Sequence, residues 1–178
     1  MPGAVDDDTV RRNCEVVRRL LDEVWTQGNV DLSDELVAED AIDNDRQPGE
    51  ENGLESFKLH VGYLRNAASD LVANIDQIWG AGDKVVARWR WQGTHDGSLY
   101  GIPPSYKEFD FTQLIIYRLE DGKIVEVWKA SDLLQMLEQL EVLPPRGTSP
   151  VGFFGHFVKS IFKTAYRQLR GAPPKVDA

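Results

Sequence analysis

The sequence predicts an α+β domain in which helices precede an antiparallel sheet and a further helix follows it. Apolar residues recur at helical spacing within residues 10–66, alternate with polar residues between 71 and 129, and return to helical spacing after Asp132. The turn sequences at 80–83 and 120–123 are short enough to form hairpins, and hairpin-linked strands are antiparallel. This order favours one curved antiparallel sheet with helices packed on its concave face, which leaves room for a cavity between the layers.

Three helices are predicted before the sheet. The first ends before Gly28, a residue type common just after a helix. Its apolar face consists of Val10, Cys14, Val17, Leu20, Leu21, Val24 and Trp25. A short second helix is predicted at 31–37, with a polar loop at 43–49 after it, and a third helix at about 50–66.

Four strands are predicted next, at 71–79, 84–94, 109–119 and 124–129. In the second of these, the apolar side chains fall on alternate residues and therefore share one face of the sheet. They are Val85, Ala87, Trp89 and Trp91. Asp132 then precedes a short apolar helix, where an aspartate commonly caps the helix N-terminus.

The charges divide the chain into an acidic body and a basic tail. The 178 residues carry 20 Lys and Arg against 29 Asp and Glu, yet residues 142–178 alone have a net charge of +5. We therefore predict one domain at 1–141, a Pro/Gly linker at 142–150, and a basic amphipathic C-terminal helix and tail at 151–178. The apolar stripe of that helix could pack on the body or on a second copy, or it could make a peripheral membrane contact.

Composition also excludes several classes of protein. A net charge of −9 disfavours a nucleic acid partner. Cys14 is the single cysteine, so no intrachain disulfide can form, and we expect a reducing, cytoplasmic location. No apolar run approaches the roughly 20 residues that span a bilayer, and we expect no secretory signal at the acidic N-terminus.

Several short motifs occur in an order that resembles a known family. They are residues 21–28, Gly93-Thr94-His95-Asp96-Gly97, Gly101-Ile102-Pro103-Pro104, and residues 117–128. Across residues 9–141 they resemble the SnoaL-like polyketide cyclases of the nuclear transport factor 2-like superfamily, which also holds ketosteroid isomerases. The resemblance implies a cone-shaped α+β barrel of the cystatin-like type, a deep apolar pocket for a small carbonyl-bearing molecule, a homodimer, and no metal or organic cofactor.

The resemblance further implies an intramolecular aldol cyclisation of a polyketide ester, in which a carboxylate moves a proton next to a carbonyl. The family's catalytic aspartate directly follows the tryptophan of the Gly-Lys-Ile-x-Glu-x-Trp strand, and that position is Lys129 here. Histidines common at two other pocket positions align with Ile115 and Asn44. The scaffold therefore matches the family while the usual catalytic groups are replaced.

Eight residues are the candidates for the site. The candidate catalytic residues are Lys129, His95 and Asp132, and the candidate ligand-binding residues are Arg88, Asn44, Ile115, Trp25 and Val127. Lys129 could be a general base or a Schiff-base nucleophile if burial lowers its pKa, or a strand-end lysine in water.

The other polar candidates have structural alternatives as well. Asp132 could only cap the last helix, His95 could only satisfy its loop, and Arg88 could form cross-strand ion pairs. Asp43 and Asp45 are a weak signal for a cation and fit a solvated loop better.

The sequence thus predicts a polyketide cyclase or isomerase that uses acid/base chemistry with an atypical site. A binding or assembly module that has lost the catalytic aspartate is the alternative.

Overall fold

The computed structural model of the chain describes residues 7–46, 49, 51–144, 147–149, 152 and 155. The helices and strands in this part of the chain are α1 (Asp7–Arg19), α2 (Ser33–Leu36), β1 (Val37–Asp43), α3 (Leu54–Ala67), β2 (Val72–Ala81), β3 (Lys84–Thr94), β4 (Glu108–Glu120), β5 (Lys123–Ser131) and α4 (Leu133–Gln139). The basic helix predicted within 151–178 lies outside the described residues, apart from Gly152 and Gly155, and stays a prediction. None of the helices within the described ranges is long and apolar enough to cross a membrane.

The sheet confirms the predicted α+β fold. Its strand order is β1-β5-β4-β3-β2, and the pairs β2/β3, β3/β4 and β4/β5 are antiparallel. Asp121 and Gly122 both have positive φ, 49° and 78°, as a two-residue turn with the twist of the hairpin requires. Register shifts in β2 and in the β4/β5 and β1/β5 pairs mark irregularities of the kind that bend a sheet.

One strand differs from the sequence prediction. The predicted helix at 31–37 is a 3₁₀ turn at Val30–Leu32 followed by α2, and Val37–Asp43 forms β1, parallel to β5. Acidic residues in β1 are poor strand formers, so local preference does not reveal the strand. Its pairing partner, around Ile124–Val127, is more than 80 residues away in the chain, and only the tertiary fold brings the two together.

The first helix changes its geometry before it ends. After α1 it continues as a π-helical segment, Leu20–Thr26, in which the Gln27 amide donates to the Asp22 carbonyl at 3.1 Å. Thr26 joins this segment to the sheet because its hydroxyl oxygen accepts a hydrogen bond from the Ala73 amide at 3.0 Å. Leu20 at the start of this segment and Trp25 near its end both face the inner side of the sheet.

The core lies between the helices and the concave face of the sheet. The predicted inner face of β3 is confirmed, since Val85, Ala87, Trp89 and Trp91 are at most 4% exposed. Opposite them, Val17, Leu21 and Val24 of the first helix are fully buried. The apolar side chains on these two faces enclose one end of a cavity.

Candidate functional site

A cavity of about 340 Å³ opens between the sheet and the helices. Trp25 forms one wall with Phe57 and Leu64 of α3, and the inner faces of β3, β4 and β5 form the other. Most of the lining is apolar, so the cavity suits an apolar molecule that carries few polar groups.

A rigid polar group lies within the aromatic wall of the cavity. The indole nitrogens of Trp89 and Trp91 both donate to the side-chain oxygen of Gln113, at 2.9 and 2.8 Å. The Gln113 nitrogen donates to the Ser131 hydroxyl oxygen at 2.5 Å. Trp25 packs edge-on against Trp91, with ring centroids 4.9 Å apart. These bonds hold the two tryptophans in place and give the wall a fixed shape.

An ion pair forms the most polar part of the lining. The ammonium group of Lys129 on β5 donates to Oδ2 of Asp43 at the end of β1. The Lys129 side chain is 20% exposed and that of Asp43 is 31% exposed, and both residues line the cavity. The parallel β1/β5 pairing, with Asp43 opposite Val127, brings the two side chains together.

The loop after β1 is fastened to β5 by hydrogen bonds. The Lys129 amide donates to the Asp45 carboxylate at 2.6 Å, and the Asp45 amide donates to Oδ1 of Asp43 at 3.0 Å. The side-chain Nδ2 of Asn44 donates to the Glu126 carboxylate at 3.0 Å and to the Val127 carbonyl at 3.1 Å. The bond from Asn44, together with one from Arg118, lowers the pKa of the Glu126 carboxyl.

His95 lies at the end of β3 and is 1% exposed. The Ser105 amide donates to its Nδ1 at 3.2 Å, so Nδ1 is an acceptor and the proton is on Nε2. Burial lowers the pKa of His95, and the Asp96 carboxylate opposes that shift. Nε2 is buried and has no hydrogen-bond partner within the described residues. His95 is therefore a neutral donor at the cavity wall.

The structure brings together five of the predicted site residues. The cavity lining includes Lys129, His95, Ile115, Trp25 and Val127. The other three predicted residues do not line it.

Those three have partners elsewhere. Asn44 is bonded to β5 as described, and Arg88 pairs with Asp76 on the outer face of the sheet. Asp132 caps α4, where its Oδ1 accepts a hydrogen bond from the Gln135 amide at 3.0 Å. The structural alternatives for Arg88 and Asp132 therefore describe their observed contacts.

Several polar lining residues were not among the predicted candidates, and Gln113, Tyr117 and Asp43 are the ones that bear on the chemistry. Gln113 and Tyr117 alternate with Ile115 on the inner face of β4, so strand alternation around Ile115 was a usable signal for both. The sequence predicts a polar loop at Asp43, whereas the structure places this residue at the end of β1. In the described part of the chain, no three His, Cys, Asp or Glu side chains converge closely enough to hold a metal ion.

Comparison with known proteins gives a match over most of the chain. Residues 15–140 match the model of the SnoaL-like polyketide cyclases. The chain is also 30% identical over 146 residues to the aklanonic acid methyl ester cyclase DauD of Streptomyces sp. (strain C5), and the alignment covers 76% of this chain and 87% of that protein.

Solved structures with the same fold agree with this match. TsrD from Streptomyces laurentii superposes with a TM-score of 0.70 at 26% identity, over 78% of this chain and 99% of TsrD. IdmH from Streptomyces antibioticus superposes with a TM-score of 0.63 at 29% identity, over 72% of this chain and 97% of IdmH.

Proposed function

The chain belongs to the SnoaL-like polyketide cyclase family, and on that basis we propose that it binds a small, apolar, carbonyl-bearing molecule of the polyketide ester type and closes a ring in it by an aldol reaction. The cavity supports the first part of the proposal because its lining is mostly apolar and aromatic. The family membership supports the second part.

The observation that carries the proposal is the ion pair between Lys129 and Asp43 at the cavity wall. The sequence resemblance implies a catalytic carboxylate at position 129, where this chain has an amine. Asp43 supplies a carboxylate to the same part of the cavity from a neighbouring strand. The acid and base functions are thereby divided between two side chains.

We assign the proton transfers as follows. The Asp43 carboxylate removes a proton from the carbon next to a carbonyl, and the Lys129 ammonium stabilises the negative oxygen that forms. The enolate carbon attacks a second carbonyl of the same molecule, and Lys129 gives a proton to the resulting alkoxide. Asp43 then returns its proton to Lys129, so the pair ends in its starting state.

His95 has a different place in this proposal from the one that its residue type suggests. Its Nδ1 is occupied by the Ser105 amide, and burial keeps the ring neutral. It has no free lone pair to accept a proton, and its Nε2–H is enclosed in the cavity wall. We therefore propose that His95 shapes the wall and does not move a proton.

The test is turnover of aklanonic acid methyl ester, the compound in the name of the related cyclase. We expect the parent chain to convert the ester and Asp43→Asn to lose about 100-fold or more of kcat, since the base is removed at nearly constant shape. Asp40→Asn is the matched control because Asp40 is on the same strand and exposed to solvent. Equal rates for Asp43→Asn and the parent would overturn the assignment of the base.

A second candidate function is binding without turnover, and the same ion pair favours it. Each charge of the pair neutralises the other, so Lys129 and Asp43 could serve only to join β1 to β5. In that case the parent would bind the ester without consuming it, and it would also leave a simple β,γ-unsaturated ketone unchanged. Calorimetric binding combined with product analysis separates the two functions.

We also propose a homodimer that forms through the outer face of the sheet in the cytoplasm. Trp79 and Leu114 support the dimer because they lie on that face and are 50% and 40% exposed. Light scattering after size exclusion measures the mass directly, and a monomer at micromolar concentration would contradict the proposal.

A further inference from the structure

Tyr117 is a buried tyrosine whose hydroxyl has no hydrogen-bond partner among the described residues and faces the cavity. The residue is 2% exposed and lines the cavity. Its ring packs edge-on against Trp89, with the ring centroids 6.5 Å apart. Among the residues that the structure describes, none forms a hydrogen bond with the hydroxyl. A phenylalanine would pack against Trp89 equally well and would bury no polar atom. Among the described residues, the fully enclosed polar side-chain atoms without a partner are Ser33 Oγ and His95 Nε2, so the Tyr117 hydroxyl is not enclosed and opens onto the cavity. There it can donate a hydrogen bond to a ligand in an otherwise mostly apolar lining.

The strand register places this hydroxyl beside the ion pair. Tyr117 on β4 is opposite Val127 on β5, and Asp43 on β1 is opposite the same Val127. Lys129 is two residues further along β5, on the same inner face, and is opposite Ile115. Side chains related by such a diagonal are about 7–8 Å apart at their bases, within reach of long side chains such as these. A ligand atom that contacts Lys129 is therefore close to Tyr117.

The hydroxyl is in its protonated form. Burial raises the pKa of Tyr117 well above its ordinary value, and the negative charge of Asp43 raises it further. A neutral phenol donates a hydrogen bond, and the bond is strongest to an oxygen that carries negative charge.

We propose that the Tyr117 hydroxyl is the donor that binds the carbonyl oxygen of the ligand and that, with Lys129, it stabilises the enolate oxygen formed when Asp43 removes a proton. The second half of this inference rests on the proposed function, whereas the first half requires only that the cavity binds an oxygen-bearing ligand. The donor is fixed by its packing before the ligand arrives, so little reorganisation is needed as charge develops on the oxygen.

The binding test compares two probes that differ by one oxygen, 2-naphthol and naphthalene. The full-length parent, Tyr117→Phe and Tyr106→Phe are titrated with each probe by calorimetry. Tyr106→Phe is the matched control, because it removes the same atom from a half-buried tyrosine that does not line the cavity. We expect Tyr117→Phe to lose about 2- to 10-fold in affinity for 2-naphthol and none for naphthalene, the range for one neutral hydrogen bond. The control should match the parent with both probes.

The outcomes separate this inference from the proposed function. Equal affinities of the parent for the two probes, or an unchanged preference for 2-naphthol in Tyr117→Phe, overturn the inference. Loss of affinity for both probes also overturns it, since a general packing defect would explain that result. If the parent binds 2-naphthol through Tyr117 but never converts the ester, the proposed catalysis fails and the binding role stands. If the ester is converted, a drop of about 100-fold in the kcat of Tyr117→Phe supports the catalytic role, and an unchanged kcat overturns it.

Discussion

Lys129 and Asp43 meet across two parallel strands, β5 and β1, and their ion pair is part of the cavity wall. The pair therefore links the ammonium group in the cavity wall to β1, which is an edge strand of the sheet. Its partial burial makes it worth more than a surface ion pair, and it also makes the loss of either partner costly.

The first prediction concerns the strength of this ion pair. Asp43→Asn and Lys129→Met each leave one charge without its partner, and the double variant leaves neither charge. We expect a coupling free energy of about 1 to 2 kcal/mol from a double-mutant cycle in urea unfolding, between the values for exposed and buried pairs.

The control for that cycle is Arg11 with Asp8, whose side chains are 78% and 62% exposed. We expect a coupling below about 0.5 kcal/mol for that pair, because water screens both charges. Additive effects of Asp43→Asn and Lys129→Met on the free energy of unfolding would contradict the contact between them.

The second prediction separates capping from catalysis at Asp132. Asp132→Ala removes the hydrogen bond to the Gln135 amide and should lower the free energy of unfolding by about 0.5 to 2 kcal/mol. Since Asp132 does not line the cavity, affinity for 2-naphthol should stay at the parent value. Asp132→Ser retains a capping oxygen and should recover most of the stability. Lost ligand affinity in a fully folded Asp132→Ala would favour a direct role in the site.

The third prediction explains a glycine of the Gly-Thr-His-Asp-Gly motif. A Cβ at Gly97 would lie 1.8 Å from the backbone oxygen of Asn66 at the end of α3, and the Gly97 amide also donates to the Ala67 carbonyl at 3.0 Å. We expect Gly97→Ala to cost about 1–3 kcal/mol and to lower Tm by several degrees.

Gly62 within α3 is the control because nothing lies within 4 Å of its added Cβ. Gly62→Ala should leave Tm unchanged or raise it, since alanine favours helix over glycine. A Gly97→Ala variant as stable as the parent would show that α3 does not pack as closely on this loop as the structure has it.

The fourth prediction is a pH dependence of stability that arises from His95. Burial lowers the pKa of His95 in the folded state, so below about pH 6.5 the unfolded chain binds a proton that the folded chain resists. The contribution of neutral His95 to the free energy of unfolding is therefore complete above the pKa of the unfolded chain. It declines as the pH falls through that pKa toward the lower pKa of the folded chain. The urea midpoint of His95→Gln should therefore change less between pH 7.5 and 5.5 than the midpoint of the parent. Parallel midpoint profiles for the two proteins would be inconsistent with a buried, neutral His95.

The α+β fold follows from local patterns that the sequence shows directly. Helical spacing in α1 and α3, strict alternation in β3, and the Asp121-Gly122 turn are set by neighbouring residues, and the structure confirms each of them. These features are predictable because each depends on a few consecutive residues whose side chains need one apolar side. The family resemblance implies a pocket position for Ile115, and both Ile115 and the candidate Val127 line the cavity.

The site depended on contacts that no local pattern encodes. β1 is stabilised by a parallel partner far away in the chain, and its acidic residues have low strand preference, so the sequence predicts a loop at Asp43. Only the tertiary fold brings that carboxylate to Lys129, occupies Nδ1 of His95 with a backbone amide, and places Tyr117 in the lining of the same cavity. The sequence by itself determined the scaffold and the amine at position 129. The charge that amine faces and the donors around it were decided by long-range strand pairing, because side chains from different strands share a cavity only after the sheet has closed around it.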